Sequence, residues 1–123
     1  MKSLTLIQPW ATLVAIGEKR IETRSWFTNY RGPLAIHAAR SFPKDAQVFA
    51  LTNRHARRIF EERDLAGRIP LGAIVATCRL VDCLPTSALE AVRVSGRTAP
   101  HEEAFGDFSP GRWMWLLGDV EPL

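Results

Sequence analysis

The sequence predicts an α+β domain built on a mixed, partly closed β-barrel. Strand-like runs and short helical patterns alternate along the chain without a regular βαβ rhythm, which favours this class over a doubly wound sheet. The longest strand-like run, residues 72–84, is largely apolar on both faces, as in a strand that is covered on both sides. The chain has 123 residues, and we therefore expect one domain spanning 1–123.

The first third of the chain predicts three strands and one helix. A short strand is expected at residues 4–7, followed by a helix from Trp10 to Ile16. Gly17 suits the left-handed residue that ends many helices. The second and third strands are expected at residues 20–26 and 34–38, separated by a turn cluster that contains Gly and Pro.

The middle of the chain predicts one long helix, from Lys44 to Arg63, because its apolar residues recur near a period of 3.6. Ser41 is a candidate cap for its start. The arginines at 57–58 stand four residues before the glutamates at 61–62, a spacing that allows two ion pairs on the helix surface. Further elements are expected at 72–84 (strand), 88–92 (helix), 101–105 (helical turn) and 112–117 (strand). The residues expected to be buried are Leu6, Val14, Ile21, Ile36, Ile74, Val75, Leu80 and Leu116.

Composition sets only broad limits on function. The net charge is +3 and the pI about 9.3, which permits contact with nucleic acid without requiring it. No run of 18 or more apolar residues is present, and the first residues lack the apolar core and cleavage site of a signal peptide. We therefore expect a cytoplasmic protein that has no membrane partner.

The cysteines and histidines do not predict a metal centre or a cofactor. Cys78 and Cys83 are five residues apart in one expected strand, which would put them on opposite faces and too far apart for a disulfide. We expect two reduced thiols. Neither cysteine has ligand spacing to any of the three histidines, and the chain has no phosphate loop or nucleotide-binding glycine triplet.

The best candidate site follows the first helix. In an extended strand, Glu22, Arg24 and Trp26 all point to one face, because they are spaced by two. Lys19 lies at the turn beside that row, and Trp10 begins the preceding helix. Charged groups beside large apolar rings line pockets or pair with each other, so these five residues are the expected ligand-binding set.

Three stretches of the chain resemble the ASCH domain family of the PUA-like superfamily. They are Gln8-Pro9-Trp10, Gly17-x-Lys19-x-x-Glu22-x-Arg24 and the run from Arg31 to Ala38 that reads Arg-Gly-Pro-Leu-Ala-Ile-His-Ala. The resemblance covers roughly the first 40 residues well and returns at residues 111–120. It implies a PUA-like barrel with short helices over its openings.

The resemblance also implies RNA-associated roles, including recognition of modified bases. The first hypothesis is a module that binds RNA or a nucleobase. Trp10 or Trp26 would stack on the base, Glu22 would accept from its ring N–H or amine, and Arg24 and Lys19 would hold carbonyl or phosphate oxygens.

Two alternatives remain open. Some ASCH-like proteins hydrolyse an acylated cytidine and others cleave RNA, and in the amidohydrolases the motif lysine, here Lys19, is catalytic. Those enzymes carry a Thr where this chain has Glu22, which could instead act as a general base. The other alternative is a protein-interaction domain in which the motif is only a structural ion-pair network.

The end of the chain raises a question about the sheet edge. Members of the resembled family often continue past the aromatic strand with a further strand, whereas this sequence stops at Leu123. Either that last strand is absent or a neighbouring chain supplies the pairing, and a homodimer could form through an uncovered strand edge. Trp113 and Trp115 share one face of that strand, and core packing is expected for both.

Overall fold

A computed structural model describes all residues from 1 to 123. None of its helices has the length and apolarity that crossing a bilayer requires. The strands are β1 (Lys2–Leu6), β2 (Ile21–Arg24), β3 (Gly32–Ala38), β4 (Ala73–Pro85) and β5 (Trp113–Pro122). The α-helices are α1 (Trp10–Ala15), α2 (Lys44–Thr52), α3 (Arg54–Glu62) and α4 (Leu89–Val94), and 3₁₀ turns cover Thr86–Ala88 and Glu102–Phe105.

The five strands form one curled sheet in the order β1-β3-β4-β5-β2. The β1–β3 pair is parallel, and the other three pairs are antiparallel. The sheet closes only halfway around, so β1 and β2 are its two edges. This confirms the predicted α+β class and the mixed, partly closed barrel of PUA-like type with short helices.

The final strand, β5, is not an edge of the sheet. β5 pairs with β4 on one side and with β2 on the other, and it continues to Pro122, well past the expected end at residue 117. The free edges belong to β1 and β2, so a homodimer formed through an edge stays a prediction for those two strands only.

The alternating side chains of β2 and β5 enter different parts of the core. Trp115 and Leu117 join the main cluster, which lies between the sheet and α1, whereas Ile21, Met114 and Leu116 pack against α4. Seven of the eight residues expected in the core are buried. The prediction for Ile74 is wrong, because its side chain is 41% exposed. The pairing of β3 with β4 slips between Ile36 and His37, beside Ile74, and such irregularities redirect side chains.

The helix predicted from Lys44 to Arg63 is two helices. Asn53 has an extended backbone, with φ −68° and ψ 120°, and its side-chain oxygen accepts hydrogen bonds from the N–H groups of His55 and Ala56. The chain therefore ends α2 and restarts as α3 at a side-chain cap. Ser41 does not cap α2. The two ion pairs expected on the helix surface, from arginines 57–58 to glutamates 61–62, are both present.

The prediction that Cys78 and Cys83 face opposite sides of a strand is also wrong. Both are free thiols, and both are buried in the main core cluster. The pairing of β4 with β5 is irregular between Leu80 and Asp82, which leaves Val81 out of register and 47% exposed. Val81 is one extra residue in β4, and after it each side chain points to the face opposite to the one expected from strict alternation. Cys83 therefore lies on the same face of the strand as Cys78.

Candidate functional site

A cavity of about 580 Å³ opens where the two edge strands of the sheet end. Its walls come from the end of β1, the start of α1, the end of β2, one residue of α2, the end of the 3₁₀ turn at residues 102–105 and the loop that follows it. The lining residues are Thr5, Leu6, Ile7, Trp10, Glu22, Thr23, Arg24, Ser25, Trp26, Phe49, Ala104, Phe105, Gly106, Asp107 and Arg112. Four of the five predicted site residues, Trp10, Glu22, Arg24 and Trp26, are therefore brought together, and the fifth lies behind them.

The turn between α1 and β2 positions this set. Gly17 has φ +82°, a left-handed conformation that favours glycine, and its N–H donates to the carbonyl of Val14 at 3.0 Å. The chain then reverses and enters β2, which is shorter than predicted and ends at Arg24. Trp26 lies just beyond the strand end, yet its side chain still lines the same cavity as those of Glu22 and Arg24.

Glu22 stands at the centre of a row of charges. One carboxylate oxygen, Oε1, lies 3.5 Å from Lys19 Nζ, and the other, Oε2, lies 3.0 Å from Arg24 Nη2. The Glu22 side chain is 14% exposed and lines the cavity, so part of it remains open to a ligand. The row therefore serves both as an ion-pair network and as a polar wall.

Lys19 is fully buried and does not line the cavity. Its ammonium donates to the carbonyls of Ile21 and Phe105, at 2.5 and 2.9 Å, and faces Glu22 with its remaining donor. An ammonium has three N–H donors, so none is left for a ligand. Burial lowers the pKa of Lys19 below its usual value of 10.5, and the nearby carboxylates of Glu22 and Glu102 oppose that shift.

Glu102 is a buried residue that the sequence analysis missed. The residue is 3% exposed, and its carboxylate accepts hydrogen bonds from the N–H groups of Arg20, Ile21 and Ala99. These bonds tie the 3₁₀ turn at residues 102–105 to the start of β2. Because that turn supplies the Phe105 carbonyl to Lys19, Glu102 orders the wall behind the charged row.

Aromatic rings form the apolar part of the cavity. The Trp10 ring is half-buried and packs on Phe49 with ring centroids 5.0 Å apart. Trp26 is 52% exposed, although its carbonyl accepts a hydrogen bond from the Trp115 indole and its ring lies edge-on to Trp115 at 6.1 Å. The guanidinium carbon of Arg24 lies 5.4 Å from the Trp26 ring centroid. Trp26 is thus an anchored ring with a large uncovered surface.

The charges that line the cavity cancel. Two carboxylates, Glu22 and Asp107, face two guanidinium groups, Arg24 and Arg112. Arg24 also carries a donor, Nε, that is buried without a protein partner. A buried donor left unpaired is unfavourable, but this atom is closed to solvent and is therefore out of reach of a ligand in the cavity. The site suits a flat, neutral group that has both donors and acceptors on its edge.

Thr23 stands between Glu22 and Arg24 in β2 and also lines the cavity. Its side chain is buried, and its hydroxyl oxygen accepts a hydrogen bond from the N–H of Asp107 at 3.0 Å. No local pattern in the sequence indicated the wall from Ala104 to Asp107 or Arg112, because both reach β2 from more than 80 residues away along the chain. Only the clustering of Glu, Phe and Asp in an otherwise small-residue loop could have pointed to them.

A curled five-stranded sheet with short helices is the fold of PUA-like domains. The ASCH domain family matches residues 4–109, and the chain belongs to this family. A crystal structure of a mutant of the ZmASCH protein from Zymomonas mobilis matches 98% of this chain and 70% of that chain, with a TM-score of 0.54 and 16% identity. At that identity the likeness shows a shared fold.

Two curated relatives are similar over part of the chain. Over 81 residues, or 66% of its length, the chain is 35% identical to activating signal cointegrator 1 of Homo sapiens, and it matches the protein of that name from Mus musculus equally well. The matched region is 14% of the length of each relative. The similarity therefore concerns one region of a much longer protein.

Proposed function

We propose that the protein binds single-stranded RNA by accepting one nucleobase in the cavity between β1 and β2. The observation that carries this proposal is the meeting of Trp10, Trp26, Glu22 and Arg24 in one cavity of about 580 Å³. That volume is in the usual range for small-molecule sites. ASCH domains are generally RNA-binding modules of the PUA-like type, which agrees with the proposal.

The proposal gives the polar and apolar walls separate tasks. The uncovered ring of Trp26 stacks on the base, since every base has a π-face. The Glu22 carboxylate accepts from a ring N–H or an exocyclic amine, and Arg24 donates to a ring carbonyl. Because the lining charges cancel, the cavity favours the neutral base over its phosphate.

Lys19 acts behind the wall in this proposal. Its three donors are already engaged, so it orients Glu22 and does not hold a phosphate oxygen. The same geometry weighs against the hydrolase alternative, in which Lys19 would have to reach the substrate. The Thr of the amidohydrolases is absent, and the adjacent Thr23 hydroxyl is buried against the Asp107 amide.

The test is the binding of short, labelled, homopolymeric single-stranded RNAs, followed by fluorescence anisotropy at low salt. Replacing Trp26 by Ala removes one stacking surface, and we expect affinity to fall roughly 5- to 150-fold, which corresponds to about 1–3 kcal/mol. Trp26→Phe keeps a flat ring and should retain most of the affinity. Leu51→Ala, at a residue 70% exposed and outside the cavity, is the matched control.

Glu22→Gln is the test of base reading. An amide both donates and accepts, whereas a carboxylate only accepts, so the order of preference among the homopolymers should change. Binding that is the same in wild type, Trp26→Ala and Leu51→Ala would contradict the proposal, as would a wild-type protein that binds none of the RNAs. Release of a free acid from acylated cytidine, lost in Lys19→Ala, would support the hydrolase alternative instead.

A further inference from the structure

We propose that a second cavity beside the first accepts the neighbouring nucleotide, so that the ligand is a strand of at least two nucleotides and not a free nucleoside. This inference rests on the proposed function of the first cavity. The second cavity has a volume of about 330 Å³ and is bounded by residues 85–87, 108 and 110–113. It shares one lining residue, Arg112, with the first.

The two cavities are immediate neighbours. Arg24, which lines the first, pairs directly across the β2–β5 ladder with Trp113, which lines the second. This pairing puts the end of β2, at the first cavity, directly beside the start of β5, at the second. The ring of Phe108 lies against Gly106, where an added Cβ would come within 2.9 Å of it, so one close-packed wall divides the cavities.

The second cavity has the same kinds of groups as the first. It is lined by the half-buried rings of Phe108 and Trp113. Phe27, which does not line the cavity, packs on the Trp113 ring with ring centroids 5.0 Å apart. Ser87, an exposed residue, also lines this cavity. Flat rings beside a hydroxyl suit stacking of a second base, without strong discrimination among bases.

Arg112 stands where the linking phosphate would pass. Its side chain is 28% exposed and is anchored by hydrogen bonds to the carbonyls of Asp107 and Thr23. The Asp107 carboxylate pairs with Arg112 at 3.4 Å but is itself 60% exposed. An anchored guanidinium between two aromatic cavities is the geometry that a phosphodiester requires, since Arg readily forms bidentate contacts to phosphate oxygens.

The experiment compares three probes that differ by one part each: a nucleoside, the same nucleoside with a methyl phosphate on its 3′ or 5′ oxygen, and the corresponding dinucleoside monophosphate. Affinities are measured by tryptophan fluorescence for wild type, Ser87→Trp, Ser87→Glu and Ser87→Ala. In wild type the dinucleoside should bind roughly 5- to 150-fold more tightly than the methyl phosphate, the range for one more stacked base. We call this ratio of affinities the gain. The dinucleoside has two bases, either of which can enter the first cavity, so a gain of about twofold would arise from statistics alone.

Ser87→Trp fills the second cavity and should abolish the gain while leaving nucleoside affinity unchanged. Ser87→Glu should abolish the gain as well, because a second base could enter only by stripping water from the new carboxylate; this variant keeps the test valid if Ser87→Trp impairs folding. Ser87→Ala should keep the gain, because the rings of the cavity supply the stacking surface. A wild-type gain of twofold or less, with nucleoside binding intact, would overturn the second cavity but not the proposed function. A wild type that binds none of the probes would overturn both.

Discussion

The guanidinium of Arg24 on β2 donates a hydrogen bond of 2.9 Å to the carbonyl of Thr5 on β1. These two strands are the edges of the sheet, so the bond joins them across the opening of the half-barrel. The same Nη2 atom pairs with Glu22 at 3.0 Å. Arg24 therefore couples closure of the sheet to the charged wall of the cavity.

Replacing Arg24 by Met should destabilise the fold. The change keeps the aliphatic length but removes the donor to Thr5 and the partner of Glu22, and hydrogen bonds that involve a charged group contribute about 1.5–3 kcal/mol. We expect the free energy of unfolding in urea to fall by that amount. Arg79→Met, at an exposed position on β4, is the control. Equal midpoints for the two variants would show that the edge-to-edge bond contributes nothing.

The pH dependence of stability should report the buried Lys19. Its pKa in the folded state is lowered from 10.5, mainly by burial, so below pH 10.5 the unfolded chain binds more protons at this residue. The contribution of Lys19 to the free energy of unfolding therefore rises as pH rises through that window. In Lys19→Met this contribution is absent, and the stability difference between wild type and variant should shift in favour of wild type as the pH rises towards 10.5. Parallel curves would contradict this.

The sequence predicted the positions of Glu22 and Arg24 on β2 better than those of the buried residues behind them, Lys19 and Glu102. A spacing of two is enough to bring Glu22 and Arg24 to one face, and the structure has them on one cavity wall. The burial of Lys19 depends on the Phe105 carbonyl, which lies 86 residues away in sequence, and no local pattern encodes that contact. The same holds for Glu102. Its partners are backbone N–H groups, which nearly every residue has, so the residue types around it do not indicate the contact.

Local irregularities explain the errors in the fold. Asn53 lies inside a stretch whose apolar residues recur at the helical period, so the sequence predicted one continuous helix. Its short side chain can also accept hydrogen bonds from backbone N–H groups at a helix start, and in the structure it does so. In β4, one residue out of register at Val81 reversed the expected faces of the two cysteines. Tertiary pairing decides such a bulge, and an alternating pattern cannot show it.

Replacing Asn53 by Ala should lower stability by about 1 kcal/mol, because two backbone N–H groups at the start of α3 lose their acceptor. Asn53→Asp keeps the acceptor and should retain most of the stability. Urea unfolding monitored by circular dichroism measures both changes. An Ala variant as stable as wild type would mean that a continuous helix replaces the break without penalty.

The thiols should be unreactive in the folded protein. Burial raises the pKa of the Cys78 thiol to about 11, so at about pH 8 roughly one molecule in a thousand carries the reactive thiolate. In a Cys83→Ala variant, which leaves Cys78 as the one thiol, we expect slow reaction with a disulfide reagent in buffer and rapid reaction in denaturant. Rapid modification under native conditions would show that the core around β4 opens readily.

The indole N–H signals of the four tryptophans give the most direct test of the central proposal, that a base enters the cavity between β1 and β2. The measurement is a ¹⁵N–¹H spectrum of the labelled protein, assigned with single Trp→Phe variants, during titration with each nucleoside. We predict that at least one nucleoside shifts the Trp10 and Trp26 signals while that of Trp113, outside this cavity, stays in place. A titration in which neither Trp10 nor Trp26 responds, or in which Trp113 alone does, would contradict it.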